Sequence, residues 1–108
     1  MAESVFSLLA EGRMAEMIVS FRNRALKKFW EKNDRRGLDP KHVRKIELIL
    51  SLLEEAMAPE QLNLAGLDFH KLVGEIPSRG SVHVNGNWCI TFSFDGEDAA
   101  AVDYEDYH

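Results

Sequence analysis

The chain has 108 residues, of which 45% are hydrophobic and 29% charged, and its formal net charge is −5. A chain of this length forms one domain with a single modest core, and this composition excludes a largely disordered protein. No apolar run approaches the ~20 residues of a membrane-spanning helix, and the lone Cys89 excludes an internal disulfide. Because the N-terminus also lacks the pattern of a secretory signal, we expect a cytoplasmic protein with no membrane partner.

Charge is distributed unevenly along the chain. Residues 1–16 sum to −2, residues 17–58 to +4 and residues 59–108 to −7. A basic helical surface can bind phosphates or an acidic partner even when the whole protein is anionic. The alternative is that these basic residues only form the solvated side of two helices.

Residues 1–16 are predicted to be an N-terminal extension to a single domain that spans residues 17–108. The extension holds enough apolar residues for a short helical turn, and Met17 can itself be a start codon. Its apolar residues either lie over the sheet or mediate self-association.

The first half of the domain is predicted to contain one short strand and two helices. The run MIVSF at 17–21 is rich in β-formers, and residues 22–32 place apolar side chains at helical spacing. Gly37 is expected to cap the end of this helix and Asp39 the start of the next. The pattern from Pro40 to Met57 predicts an amphipathic helix.

The second half of the domain is predicted to be a β-meander. A strand is expected near His70, and the runs SVHV, WCITFSF and AAAVDYED follow it. A three-residue loop that pairs Val84 with Trp88 and His83 with Cys89 keeps one face wholly hydrophobic, whereas a two-residue loop mixes the faces. The predicted fold class is α+β, with two helices packed on a small antiparallel sheet in the order βααβββ.

The ionisable residues suit metal-independent cleavage of RNA. The glycines are scattered singly and the four histidines lack metal-ligand spacing, so we expect neither a nucleotide cofactor nor a metal. The remaining acid/base set is His70, His83, Asp106, Tyr107 and His108. In such cleavage a base removes the 2′-hydroxyl proton and an acid protonates the leaving 5′-oxygen, and histidine serves either role near neutral pH. The alternative for each histidine is a surface or hydrogen-bonded residue without a catalytic role.

Five strings carry a resemblance to a known family. In order, MIVSFRNRALKKFWEKND, GLDPKHVRKIELILSLLEEA, LNLAGLDFHKLVGEI, SVHVNGNWCITFSF and VDYEDYH resemble the HigB toxins of the RelE/ParE superfamily, from Met17 to His108. The resemblance implies a RelE-like fold and a ribosome-dependent endoribonuclease that cuts mRNA. It also implies a HigA-type helix-turn-helix antitoxin, through which alone the toxin would meet operator DNA. Inhibition of DNA gyrase, as in the ParE branch, is a weaker alternative because that branch does not share this tail.

The resemblance also assigns roles to particular residues. His70 and His108 are expected to transfer protons, Tyr107 to stack on or hydrogen-bond the scissile nucleotide, and Asp106 to orient a histidine or the hydroxyl. The residues expected to meet ribosomal RNA phosphates are Arg22, Arg24, Lys27 and Lys28.

Two positions depart from the family pattern. Where relatives commonly read LKG and NWRITF, this chain has Val73 in place of lysine and Cys89 in place of arginine. One well-placed donor is typically worth ~3 kcal/mol of transition-state stabilisation, so losing two would leave a weak nuclease unless Arg79 or His83 compensates. Two hypotheses follow. The chain is either an attenuated nuclease or a catalytically degenerate protein that acts by binding the antitoxin or the ribosome.

Overall fold

The computed structural model describes residues 18–75 and 78–106, so the expectations for residues 1–17 lie outside the described residues. Within these residues, two helices are followed by one sheet of four antiparallel strands in the order β1-β2-β3-β4. The elements are α1 (Arg24–Lys32), α2 (Val43–Glu55), a 3₁₀ helix (Pro59–Leu62), β1 (His70–Leu72), β2 (Arg79–Asn85), β3 (Trp88–Asp95) and β4 (Asp98–Asp106). The α+β class is as predicted, and the described residues do not confirm the order βααβββ.

The predicted N-terminal strand is not a full strand in the residues from Ile18 onward. Phe21 forms one isolated parallel bridge to Val102 of β4, and the Val19 amide donates to the Ala99 carbonyl at 2.9 Å. The segment therefore follows the free edge of β4 for a few residues before α1 begins. Such partial pairing covers the edge strand without adding a regular strand to the sheet.

Both helices bury one apolar stripe against the sheet. Asn23 caps α1 by accepting from the Leu26 amide at 3.0 Å, and α1 ends at Asn33 in the left-handed conformation. The predicted cap at Gly37 is therefore wrong, because Asn33 already takes the left-handed position four residues earlier. The buried side chains of α2 are Val43, Ile46, Ile49, Leu50 and Leu53, which repeat at the spacing of one helical face.

Asp39 lies in the turn before α2 rather than at its first cap position. Its side chain accepts from the Lys41 amide at 2.9 Å, and the helix begins at Val43 after His42. The predicted start at Pro40 is therefore three residues too early. The end of α2 at Glu55 agrees with the predicted end to within two residues.

The β2–β3 hairpin corrects the predicted register in part. His83 pairs with Cys89 as predicted, but Trp88 pairs with Asn85 and not with Val84. The turn has two residues, 86 and 87, and a register shift at Val84 restores the pairing of His83. The bulge thus keeps Val84 in the core without the three-residue loop that the sequence suggested.

Candidate active site on the polar face of the sheet

The two faces of the sheet have opposite characters. Val82, Ile90 and Phe92 are fully buried in the cluster that includes the helices. We call the other side the polar face, and by strand alternation it carries Arg79, Ser81, His83, Cys89, Thr91, Ser93, Asp103 and Glu105. The sheet thus presents its ionisable groups on the side away from the helices.

One row of polar residues crosses all four strands. His70 pairs with Ser81, Ser81 with Thr91, and Thr91 with Asp103. Residues directly opposite one another in antiparallel strands share a face, with Cβ atoms about 4.5–5.5 Å apart. The register therefore brings the predicted residue His70 onto the same face as the carboxylates of β4.

A hydrogen-bonded chain occupies the centre of the polar face. Arg79 Nη2 donates to Thr91 Oγ1 at 2.9 Å, and the Thr91 hydroxyl in turn donates to a carboxylate oxygen of Glu105. Thr91 is fully buried and Arg79 is only 3% exposed. Burial lowers the pKa of Arg79, the positive charge of Arg22 lowers it further, and the Glu105 carboxylate partly offsets both.

Ala101 brings its carbonyl oxygen to the same arginine. The pairing of β3 with β4 shifts between Thr91 and Ser93, so β4 has one extra residue there, and Ala101 takes a φ of 50°. Arg79 Nη2 donates to the Ala101 carbonyl at 2.8 Å, while the Ala101 amide donates to the Ser20 hydroxyl. The irregularity thus turns both polar groups of Ala101 to side-chain partners instead of to β3.

The predicted histidines of the sheet are exposed or half-exposed. His70 Nε2 lies 3.1 Å from Asp68 Oδ1, and both side chains are more than half exposed. His83 Nε2 lies 2.9 Å from the Gly86 carbonyl oxygen. Each ring therefore has one nitrogen near an acceptor, which fixes its orientation and leaves the other nitrogen for a further partner.

The two positions that depart from the family pattern lie in different settings. Cys89 is a half-buried free thiol between His83 on β2 and Glu105 on β4. Val73 follows β1 and is 99% exposed. The position where the family has arginine therefore lies on the polar face, whereas the position where it has lysine lies in the turn beside His70.

The C-terminal residues are described only as far as Asp106. Asp106 pairs with Trp88, so it lies on the side of the sheet that carries Tyr104, at the exposed end of β4. The predicted Tyr107 and His108 lie outside the described residues. Glu105, one residue earlier, lies on the polar face.

A second ionisable cluster lies behind this end of the sheet. His42 is 4% exposed, and its Nδ1 lies 2.5 Å from the Tyr104 hydroxyl. The centroid of the Trp88 ring lies 4.5 Å from that of Tyr104 and 6.0 Å from that of His42. Burial raises the pKa of Tyr104. Asp39 Oδ2 is 3.8 Å from His42 Nε2. This cluster joins the turn before α2 to the C-terminal strand.

The predicted phosphate-binding residues fall into two groups. Arg24, Lys27 and Lys28 are exposed on α1, where Arg24 and Lys28 line a cleft of about 550 Å³ next to the Asp34–Arg36 ion pair. Other residues lining that cleft are Ala25 and Gly37. Arg22 instead precedes α1 at the edge of β4, and its amide donates to the Val102 carbonyl at 2.8 Å.

Sequence reasoning placed Thr91 on the polar face without giving it a role, and it missed Asp103 and Glu105. The signal was available for Thr91, because it alternates with the core residues Ile90 and Phe92 of the same strand. The same signal was available for Asp103 and Glu105, which alternate with the buried Val102 and Tyr104, whereas the irregularity at Ala101 breaks the alternation before them.

The described part of the chain contains neither a metal-binding cluster nor a membrane-spanning helix. Among residues 18–75 and 78–106, no group of three or more His, Cys, Asp and Glu side chains is placed to hold a metal ion. No helix there has the length and apolar character needed to cross a bilayer.

Comparisons with known proteins agree with one another. The family model described as the RelE-like toxin of type II toxin-antitoxin system HigB matches residues 19–108. The protein named Endoribonuclease HigB from Proteus vulgaris is 36% identical over 92 residues, which are 85% of this chain and 100% of that relative. The chain therefore belongs to the HigB-like family of RelE-like toxins.

Proposed function

We propose that this toxin is an endoribonuclease that cuts mRNA on the ribosome and is held inactive by a HigA-type antitoxin. The observation that carries the proposal is the row His70–Ser81–Thr91–Asp103, which lines up ionisable and hydroxyl side chains across a sheet face free of core side chains. The full-length match to a relative named as an endoribonuclease supports the same reaction.

The reaction would proceed by acid and base catalysis without a metal. One histidine of the pair His70 and His108 takes the proton from the 2′-oxygen, which attacks the adjacent phosphorus. The bond from phosphorus to the 5′-oxygen breaks, and the other histidine gives that oxygen its proton. Tyr107 stacks on or hydrogen-bonds the scissile nucleotide, and Asp106 orients a histidine or the hydroxyl.

Charge on the phosphoryl oxygens needs a donor that Val73 and Cys89 do not supply. Arg79 and His83 are the candidates for this role, because both side chains belong to the polar face. The Glu105 carboxylate, held by the Thr91 hydroxyl, is the nearest negative group that would keep Arg79 in position.

The exposed basic residues would hold the toxin on the ribosome. Arg24, Lys27 and Lys28 stand on the solvent side of α1. Cations on a helix face bind RNA phosphates mainly by counterion release, so this contact weakens as salt rises.

Membership of a type II system implies a protein antitoxin as partner. The proposed partner is a HigA-type protein with a helix-turn-helix domain, so that the toxin meets operator DNA only as part of the complex. A toxin of this kind acts inside the cytoplasm, where its ribosomal target is found.

A second function is favoured by one observation. Cys89 places a thiol instead of a guanidinium on the polar face, between His83 and Glu105. A protein that has lost this cation could keep the fold and act by binding its antitoxin or occupying the ribosome, with no cleavage.

Induced expression separates the two functions. We would compare growth and mRNA ends, mapped by primer extension, for the native chain, His108→Ala and Cys89→Arg. If the native chain arrests growth and cuts within translated codons, and His108→Ala does neither, the nuclease is supported. If the native chain is harmless and Cys89→Arg cuts mRNA, the present function is binding.

A further inference from the structure

Two arginines from distant parts of the sequence meet on the same stretch of β4. The Arg79 side chain donates to the Ala101 carbonyl at 2.8 Å, and the Arg22 amide donates to the next carbonyl, that of Val102, also at 2.8 Å. Phe21 faces the core beside Val102, so alternation places Arg22 toward the polar face. This placement agrees with the positive charge of Arg22 acting on Arg79 at the edge of that face.

Neither guanidinium has a carboxylate partner within residues 18–75 and 78–106. Arg79 donates only through Nη2, to a hydroxyl and a carbonyl, and its Nη1 is buried without a hydrogen-bond partner there. Arg22 is exposed and forms no ion pair in the described part of the chain. A buried charged donor left unpaired is destabilising, so proteins rarely keep one without a use for it.

The positive charge of Arg22 is the strongest single charge effect on Arg79. Burial lowers the pKa of Arg79 most and Arg22 lowers it further, while the carboxylates of Glu105, Asp103 and Glu75 raise it. Two cations that repel each other are both stabilised by one bound anion. The planar guanidinium group binds phosphate oxygens through two parallel N–H groups.

We propose that Arg22 and Arg79 together form a phosphate-binding subsite, which holds a backbone phosphate of the mRNA strand on the polar face. The inference rests on the proposed function for the identity of the ligand. Nη1 of Arg79 is the donor left for the phosphate, since Nη2 is held by Thr91 and Ala101. The irregularity at Ala101 builds the subsite, since it supplies the carbonyl that anchors Arg79 beside the Arg22 segment.

The direct test is titration of the full chain with inorganic phosphate, followed by NMR of the arginine Nε–H groups. Sodium chloride at matched ionic strength serves as the reference titration. The variants are Arg22→Gln, whose side chain is exposed, and Arg79→Lys, which keeps the charge but removes the planar group. Arg44→Gln on α2 is the matched control, because it removes an exposed arginine away from the polar face.

We expect the Arg22 and Arg79 resonances to shift saturably with phosphate and not with chloride. Arg22→Gln and Arg79→Lys should each weaken phosphate binding about tenfold, the loss typical of one charge-assisted hydrogen bond, and Arg44→Gln should leave it unchanged. Equal responses to phosphate and chloride, or equal effects of Arg22→Gln and Arg44→Gln, would overturn the subsite.

A second measurement separates this inference from the proposed function. In a ribosome assay, Arg22→Gln should slow mRNA cleavage while co-sedimentation of the toxin with ribosomes stays unchanged. Reduced co-sedimentation with an unchanged cleavage rate for bound toxin would assign Arg22 to ribosomal RNA and overturn the mRNA subsite, while the nuclease itself would stand. Absence of cleavage by the native chain would remove the proposed function, and the phosphate titration would still report on the arginine pair.

Discussion

The two faces of the sheet exclude water equally well at its centre but by different means. Phe92 and Thr91 are neighbours on β3, and both are fully buried. Phe92 packs on Phe69 and Phe94, whereas Thr91 is held between a guanidinium and a carboxylate. One face therefore supplies non-directional stability, and the other fixes the direction of a few polar groups and leaves one donor unfilled.

The largest effect should come from the core face. Phe92→Ala removes a fully buried ring and should lower the free energy of unfolding by ~3–5 kcal/mol, from lost transfer energy and the cavity that remains. Ser93→Ala is the matched change on the polar face, where one long hydrogen bond to the Ala100 carbonyl is lost, and should stay within ~1 kcal/mol. Urea denaturation of both variants measures the difference, and similar losses would mean that the faces are not distinct in energy.

A smaller effect should come from the buried hydrogen bond between Tyr104 of β4 and His42 of the turn before α2. Tyr104→Phe leaves His42 Nδ1 without its 2.5 Å partner and should lower the free energy of unfolding by about 1–2 kcal/mol at neutral pH. The measurement is again urea denaturation. A neutral result would show that the hydroxyl contributes nothing to the packing.

The same pair predicts a pH dependence. Burial raises the pKa of Tyr104, so the folded chain keeps this proton at a pH where the unfolded chain has lost it. The native stability should therefore fall as pH rises above ~10, the ordinary value for tyrosine. Tyr104→Phe should fall less steeply between pH 9 and 11, and equal slopes for the two proteins would rule out this contribution.

A still smaller effect on stability is expected at the centre of the polar face. Arg79→Met removes the buried charge, its repulsion with Arg22 and the unpaired Nη1 together, but it also leaves the Ala101 carbonyl without its donor. These changes oppose each other, so the free energy of unfolding should change by less than ~1 kcal/mol, as for other buried charges replaced by apolar groups. The phosphate response should disappear. A loss of stability as large as that of Phe92→Ala would make Arg79 a structural residue.

Much of the fold was predictable from the sequence because helical and strand periodicities survive in it. The α2 stripe and the alternation along β3 each follow one period, so the helix and the two faces were predicted correctly. The caps and the hairpin were harder, because Asn33 and the bulge at Val84 have no distinctive pattern around them. The N-terminal run was rich in β-formers but pairs at one point only, which depends on the edge of β4 and not on its own composition.

Within the candidate site, only features that depend on residue type or on strand register could be predicted from the sequence. His70 and the pairing of His83 with Cys89 follow from residue type and strand register. Arg22 and Arg79 come to the same stretch of β4 from segments more than fifty residues apart, and no local pattern encodes this. This explains why Arg22 was grouped with the helix residues, although its backbone belongs to the edge of the sheet.

The smallest expected effect on stability is at Ala101, whose carbonyl accepts a hydrogen bond from Arg79. Ala101 has a φ of 50°, a conformation that costs a non-glycine residue about 1 kcal/mol, whereas glycine adopts it freely. Ala101→Gly should therefore raise the free energy of unfolding by ~0.5 kcal/mol after allowing for the greater freedom of glycine in the unfolded chain. Ala100→Gly, one residue earlier and outside the left-handed region, should lower it by a similar amount. Thermal unfolding of the two variants should give changes of opposite sign if the Ala101 backbone is strained, and changes of the same sign if it is not.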